Sequence, residues 1–299
     1  MRLNFPLCAF FAFFNADFVE TKVLLCANGF KKFEIDFLFR GSLKVYILAL
    51  DTTAKTACAA LCETNDSAEI SVKSQCTVNS TATHSESLLP MADFCLKEAS
   101  VSFDDIGVIA VSNGPGSFTG VRIGVSAVKG LAFGKDNIKC VPVSALYALA
   151  LNVSFEKDGT VICACMDARR NQFYNALFMA DGKGNVLRLC DDRALSADEL
   201  YSELCEKYKN ADIVLVGDGA YLAYKLLFET NRPERLNIST ARADLLYQNA
   251  YSVARAANEK LNTEPDGDYS SESLLPMYLR LSQAERERNE RLKNGADAK

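Results

Sequence analysis

Twice along this chain the same order of elements can be read: three strand-like runs, then a helix, a strand and a second helix. In the first series VYILALD (45–51) is an apolar, β-branched run ending in an acid, and TACAALC (56–62) follows the turn residues TTAK. AEISVKSQ (68–75) supplies a third strand. Leu88, Met91, Ala92, Cys95, Leu96 and Ala99 then recur at helical spacing behind a cap at Thr83 or Ser85. DIGVIAVS (105–112) returns to strand, a glycine-rich segment turns into helix, and NIKCVPVS (137–144) is strand again. The second series begins with a hairpin, GTVICACMDA and NQFYNALFMA, and a short strand at VLRL. The helix SADELYSELCEKY capped by Ser196, the buried strand of DIVLVGDGA and the long helix ADLLYQNAYSVARAANEK complete it. A repeated order of this kind predicts an α/β protein of two related halves, each a mixed sheet with flanking helices. The boundary falls near residues 145–158.

Neither end of the chain fits that pattern. Residues 1–42 hold ten of the 18 phenylalanines, and PLCAFFAFF is an apolar run too short to span a bilayer. With no methionine between Met1 and Met91, the expectation is a natural start at a non-methionine codon near Leu43 or Val45, with translated upstream sequence in front. A membrane-associating leader is the competing reading. The tail from 281 to 299 has almost no apolar residues and reads as a solvated or disordered extension. The expected organisation is therefore an atypical extension (1–42), a first lobe (43–150), a second lobe (151–280) and the charged tail.

Composition narrows the chemistry. A net charge of −5 offers no overall field for nucleic acid, so a partner has to supply basic surface for any RNA substrate. The 11 cysteines are scattered through apolar runs and read as buried thiols; neither Cys58/Cys62 nor Cys163/Cys165 has the CxxC spacing of a zinc site. His84 is the only histidine, which rules out histidine-rich metal catalysis, and no GxSxG elbow accompanies it. Asp51 and Thr52 end the first strand, and Gly217 and Gly219 sit at the matching place in the second half. Such paired turns can hold Mg²⁺-bound phosphate across a cleft, or can simply satisfy their own backbone. Asp167, Arg169 and Arg170 form a charged hairpin turn, read either as a local salt bridge or as facing a cleft or partner.

The segment SNGPGSFTGVRIGVSAVKGLAFG (112–134) is neither GxxxxGK[ST] nor GxGxxG, and Lys129 lies too far along to serve a phosphate loop. Its first part reads as a tight bend before a helix capped by Ser117 or Thr119. Within the helix Gly120, Gly124 and Ala127 fall on one face, at a cost of about 1 kcal/mol per interior glycine. Close approach of another backbone would offset that cost, whether from this chain or from another subunit. Arg122 then either faces solvent or pairs with a partner carboxylate.

Taken together, LALDTTAKTACAAL, HSESLLP, the glycine-rich block, MDARRNQFYNALF, VGDGA and PMYLR closely resemble the bacterial TsaB (YeaZ) family, over roughly residues 46–281. The resemblance implies the two-lobed actin-like, sugar-kinase-like (ASKHA) ATPase fold. It also implies a cytoplasmic, non-catalytic subunit that uses no cofactor and has no membrane association. Its role would be to activate the catalytic paralogue TsaD in making N6-threonylcarbamoyladenosine (t6A) at adenosine 37 of tRNAs reading ANN codons. The small ATPase TsaE joins the complex, tRNA is engaged only through the complex, and a homodimer forms when the partner is absent. TsaD binds a metal through HxxxH; here His84 is followed at the required spacing by Leu88. The resemblance places the partner interface on the first-lobe helices, with His84, Leu88, Met91, Cys95, Gly120, Arg122, Gly124 and Ala127 as its expected residues. The alternative reading is an autonomous ATP-dependent kinase or carbamoyltransferase of the same fold, using Asp51 and the GDGA turn.

Overall fold

The computed structural model describes residues 21–25, 33–37, 44–65, 69–79, 83–229 and 235–280, and divides into two units, Met1–Leu43 and Lys44–Lys299. In the first unit β1 (Thr21–Leu25) and β2 (Phe33–Phe37) pair antiparallel. Expectations for the rest of residues 1–42, and for the tail from 281, lie outside the described residues.

The second unit carries two sheets of matching topology. In the first, β3 (Val45–Asp51) pairs antiparallel with β4 (Ala57–Thr64), which pairs with β5 (Ile70–Val78). On the other side of β3, β6 (Ile106–Gly114) and β7 (Lys139–Ser144) run parallel to it, giving the order β5-β4-β3-β6-β7. In the second sheet β8 (Val161–Asp167) is the central strand, antiparallel to β9 (Gln172–Ala180). The short strands β10 (Val186–Arg188) and β11 (Arg193–Ser196) both pair with β9. Parallel to β8 run β12 (Asp212–Val216) and then β13 (Asn237–Thr240). The repeated order in the sequence is thus a repeated mixed sheet.

Helices cover both faces of the first sheet, which is why β3, β4 and β6 read as near-continuous apolar runs rather than alternating ones. Leu48 and Leu50 of β3 join Leu88, Met91 and Cys95 of α1 (His84–Glu98) and Val121, Val125 and Val128 of α2 (Phe118–Ala132) in one core. Ile47 and Ala49 face the other way, against α3 (Ala145–Asn152) and α6 (Ala250–Thr263). Helices α4 (Ala197–Lys207) and α5 (Ala220–Tyr224) contribute Leu200, Leu204, Ala220 and Ala223 to the core of the second sheet. The sequence pattern groups α6 with the second series, yet it packs on the first sheet. Its small face, Ala250, Val253, Ala254 and Ala257, fits against Cys58, Ala60 and Cys62. It also starts later than its apolar pattern suggests, because Asn249 accepts from the Tyr251 N–H as its cap. Among the described residues no helix is long and apolar enough to cross a membrane.

Candidate functional site

A cleft of about 950 Å³ opens where β3, β6, β8 and β12 reach their carboxyl ends. Open α/β sheets generate such crevices there, because the chain turns away from each strand in succession. Four turns line it: Thr53–Lys55 after β3, Gly116–Thr119 at the start of α2, Asp167–Arg170 between β8 and β9, and Asp218 after β12. The last described segment of the chain forms a further wall. Met277 N–H donates to Asn113 O at 2.7 Å, and Asn113 Nδ2 donates to Leu275 O at 2.9 Å. Tyr278 stacks on Phe118 with centroids 4.6 Å apart, and Arg280 Nη1 reaches Ala168 O at 2.7 Å. This strap is the structural use of the PMYLR motif.

Asp51 and Thr52 are fully buried behind this wall rather than presented to the cleft. Asp51 Oδ1 accepts from both the N–H and the hydroxyl of Thr53 at 2.7 Å, a side-chain-closed turn. Burial pushes the Asp51 carboxyl up, against the opposing pull of the Ser112 and Thr53 donors. Thr52 Oγ1 donates to Gly120 O at 2.7 Å. A side-chain carbon at Gly120 would overlap the Thr52 carbonyl oxygen, and one at Gly124 would come within 2.8 Å of Thr52 Oγ1. The close approach that these two glycines permit is therefore internal: they seat α2 on the β3–β4 turn of their own chain. Gly217 N–H donates to Leu246 O and Gly219 N–H to Cys165 O, and side chains at either glycine would collide with the end of β8. All four residues considered for phosphate binding thus have internal structural duties.

The expected interface residues divide in the same way. Leu88, Met91, Cys95, Gly120 and Gly124 are buried within this chain, against its own core or the β3–β4 turn. The helical spacing that suggested them marks the inward face of each helix. His84 Nε2 lies 2.7 Å from Ala54 O, tying the start of α1 to the β3–β4 turn at the cleft. Arg122 is exposed, but its Nε donates to the Tyr278 hydroxyl at 2.8 Å and its guanidinium lies 3.8 Å from the Phe118 ring centre. It braces the strap from the exposed side of α2. Ala127 is half-buried. The described cysteines are free thiols, most of them buried, and among the described residues no three His, Cys, Asp or Glu side chains are grouped to hold a metal.

One residue of the site was missed from sequence. Asp218 lines the cleft, and its Oδ1 is buried without a hydrogen-bond partner. Burial pushes its carboxyl up to about 6; the Asp167 and Asp51 carboxylates add to the shift and backbone N–H groups oppose it. A carboxyl that binds its proton more tightly in the folded than in the unfolded protein weakens the fold once ionised. The penalty is absent below the ordinary value of 3.8 and complete above about 6. Asp218→Asn should therefore stabilise the protein by up to about 3 kcal/mol near pH 8 and leave it nearly unchanged near pH 3. Denaturant titrations at the two pH values measure this directly; an equal effect at both would refute the assignment.

A family model described as "TsaD: tRNA N6-adenosine threonylcarbamoyltransferase" matches residues 77–288. A Bacillus subtilis protein named "tRNA threonylcarbamoyladenosine biosynthesis protein TsaB" is 32% identical over 241 residues, 80% of this chain and 96% of that protein. The Haemophilus influenzae protein of the same name is 36% identical over 129 residues, 43% of this chain. The matched stretches span about half the length of the Haemophilus relative and 43% of an Escherichia coli one. The solved structure of YeaZ from Pseudomonas aeruginosa superposes with a TM-score of 0.60 at 25% identity, covering 79% of this chain and all of that one.

Proposed function

We propose that this chain, which belongs to the TsaB (YeaZ) family, is the non-catalytic subunit that activates a TsaD-type paralogue in forming t6A on tRNA. The observation that carries the reading is the match to the Bacillus TsaB along nearly its whole length. The interior of the chain agrees with it. Leu88, standing where a metal-binding HxxxH pair needs its second histidine, is 1% exposed in the core. The paired turns that an autonomous kinase or carbamoyltransferase would need for phosphates spend the N–H groups of Thr53, Gly217 and Gly219 on internal acceptors.

In this reading the two sheets are the lobes of an actin-like, sugar-kinase-like fold, residues 43–150 and 151–280, retained as a scaffold. The protein works in the cytoplasm, with TsaE joining the TsaD complex and a homodimer forming when TsaD is absent. The partner-facing surface remains on α1 and α2 but uses their outward residues. Thr119, Ser126 and Gly130 are exposed along α2, and Phe133 just beyond it is 86% exposed. Leu89 and Phe94 of α1 stay half exposed. Exposed apolar side chains on adjacent helices favour helical docking over solvent contact.

The decisive measurement is reconstitution of tRNA modification from TsaD, TsaE and the threonylcarbamoyl-adenylate supply, with and without this chain. Product should fall at least about tenfold when it is left out, a barrier change of about 1.4 kcal/mol. Undiminished product without it would sink the proposal, and turnover of ATP by the purified chain alone would favour the autonomous enzyme.

A further inference from the structure

We propose that Lys55, Arg169 and Arg170, at the rim of the cleft, form a contact site for the phosphodiester backbone of RNA. All three are exposed and line the same cleft. Among the described residues none of their side chains is engaged in an ion pair or a hydrogen bond. Several other surface cations are matched: Lys97 with Asp93, Lys135 with Asp104, Arg188 with Asp192 and Arg242 with Asp244. In a chain with 38 acidic against 33 basic residues, three uncommitted cations on one cleft mark a local reversal of sign.

The two arginines are also held in place. Arg169, Arg170 and Asn171 have φ values of 66°, 57° and 55°, a run that non-glycine residues rarely adopt. Asp167 Oδ1 fixes the turn by accepting the Arg169 N–H at 2.7 Å, and Gln172 N–H closes it on Arg169 O. From the other side Arg280 of the strap grips the preceding carbonyl, Ala168 O. A turn kept in an uphill conformation fixes where both exposed arginines leave the backbone, so the backbone needs no further ordering on binding.

The interior of the cleft says which anion fits. Asp218 stands inside it, its carboxyl held up by burial and by neighbouring acids, and it repels a phosphate driven deep. The N–H groups of Thr53, Ser117, Arg169, Gly217 and Gly219 in and beside the flanking turns are spent on internal acceptors, which leaves a small phosphate fewer donors inside the cleft. Positive charge only at an open rim suits an extended polyanion passing across it. The proposed function supplies the identity of that polyanion as tRNA; the contact itself rests on the rim.

The test is binding of an in vitro transcribed tRNA to the full-length chain, alone and assembled with the catalytic paralogue, between about 50 and 200 mM salt. Replacing the three cations together (K55A, R169A, R170A) should lower the slope of log K against log salt by about two to three. Thermal unfolding and association with the paralogue should be unaffected. An unchanged slope, or no tRNA binding by the wild type in either form, overturns the inference. So does displacement of tRNA by millimolar ATP or inorganic phosphate from the wild type, which would mark a small-anion site. A chain that shows the slope change yet fails to bind the paralogue contradicts the proposed function and not this contact.

Discussion

Gly120→Ala should destabilise the protein by about 3 kcal/mol, although the same exchange at an exposed helical position stabilises by up to about 1 kcal/mol. The sign reverses because of what the helix packs on. A methyl group at Gly120 overlaps the carbonyl oxygen of Thr52, which is backbone and cannot swing aside as a side-chain tip would. Moving α2 outward would break the Thr52 hydroxyl's bond to Gly120 O and the Ser117 N–H bond to Thr53 O. It would also loosen Val121, Val125 and Val128 from the sheet. Moving the turn instead would disturb the two bonds that Thr53 gives to the buried Asp51 carboxyl, leaving that group less satisfied. With about 2–4 °C lost per kcal/mol in a protein of this size, a fall in Tm of roughly 6–12 °C is expected. Gly130→Ala is the internal control, since nothing lies within 4 Å of a side-chain carbon there; it should be neutral or slightly stabilising. If calorimetry finds the two variants alike, the seating of α2 on the β3–β4 turn is wrong.

The contrast between these two glycines shows what the sequence can and cannot carry. Strand order was legible because β3, β6, β8 and β12 are apolar runs buried on both faces, bounded by turn residues. The repeat was legible because the same pattern recurs. Small residues at Gly120, Gly124 and Ala127 announced that something approaches α2 closely, but not what approaches. The answer, Thr52, lies 68 residues earlier in the chain and is brought there only by sheet pairing. Helical periodicity has the same blind spot on α1: Leu88, Met91 and Cys95 recur because they face their own core. Asp218 escaped notice because GDGA reads as a turn wherever it occurs. Its raised carboxyl depends on burial and on Asp167, a residue of the β8–β9 hairpin about 50 positions earlier in the chain. The strap was visible as the motif PMYLR, yet its purpose became clear only once Tyr278 lay on Phe118 and Arg280 on Ala168 O.

The outward face of α2 yields the complementary expectation. Gly130→Trp should leave the fold intact, because the first side-chain carbon there meets open space on the exposed face of α2, and should weaken association with the paralogue by at least about 30-fold, roughly 2 kcal/mol. Gly130 lies one turn beyond exposed Ser126 and three residues before exposed Phe133. A bulky ring at that point would hold a partner helix away from the small residues while crowding the apolar anchor beside them. The argument depends on the partner meeting α2 from outside, so the control is a tryptophan at a position off that face. Lys207→Trp on α4, whose helix belongs to the second sheet, should leave association unchanged. Isothermal titration of the paralogue into each variant, after thermal unfolding has shown both folded, gives the comparison. Equal affinities for Gly130→Trp and the wild type would move the interface off α2, whatever the reconstitution experiment shows about the need for this subunit.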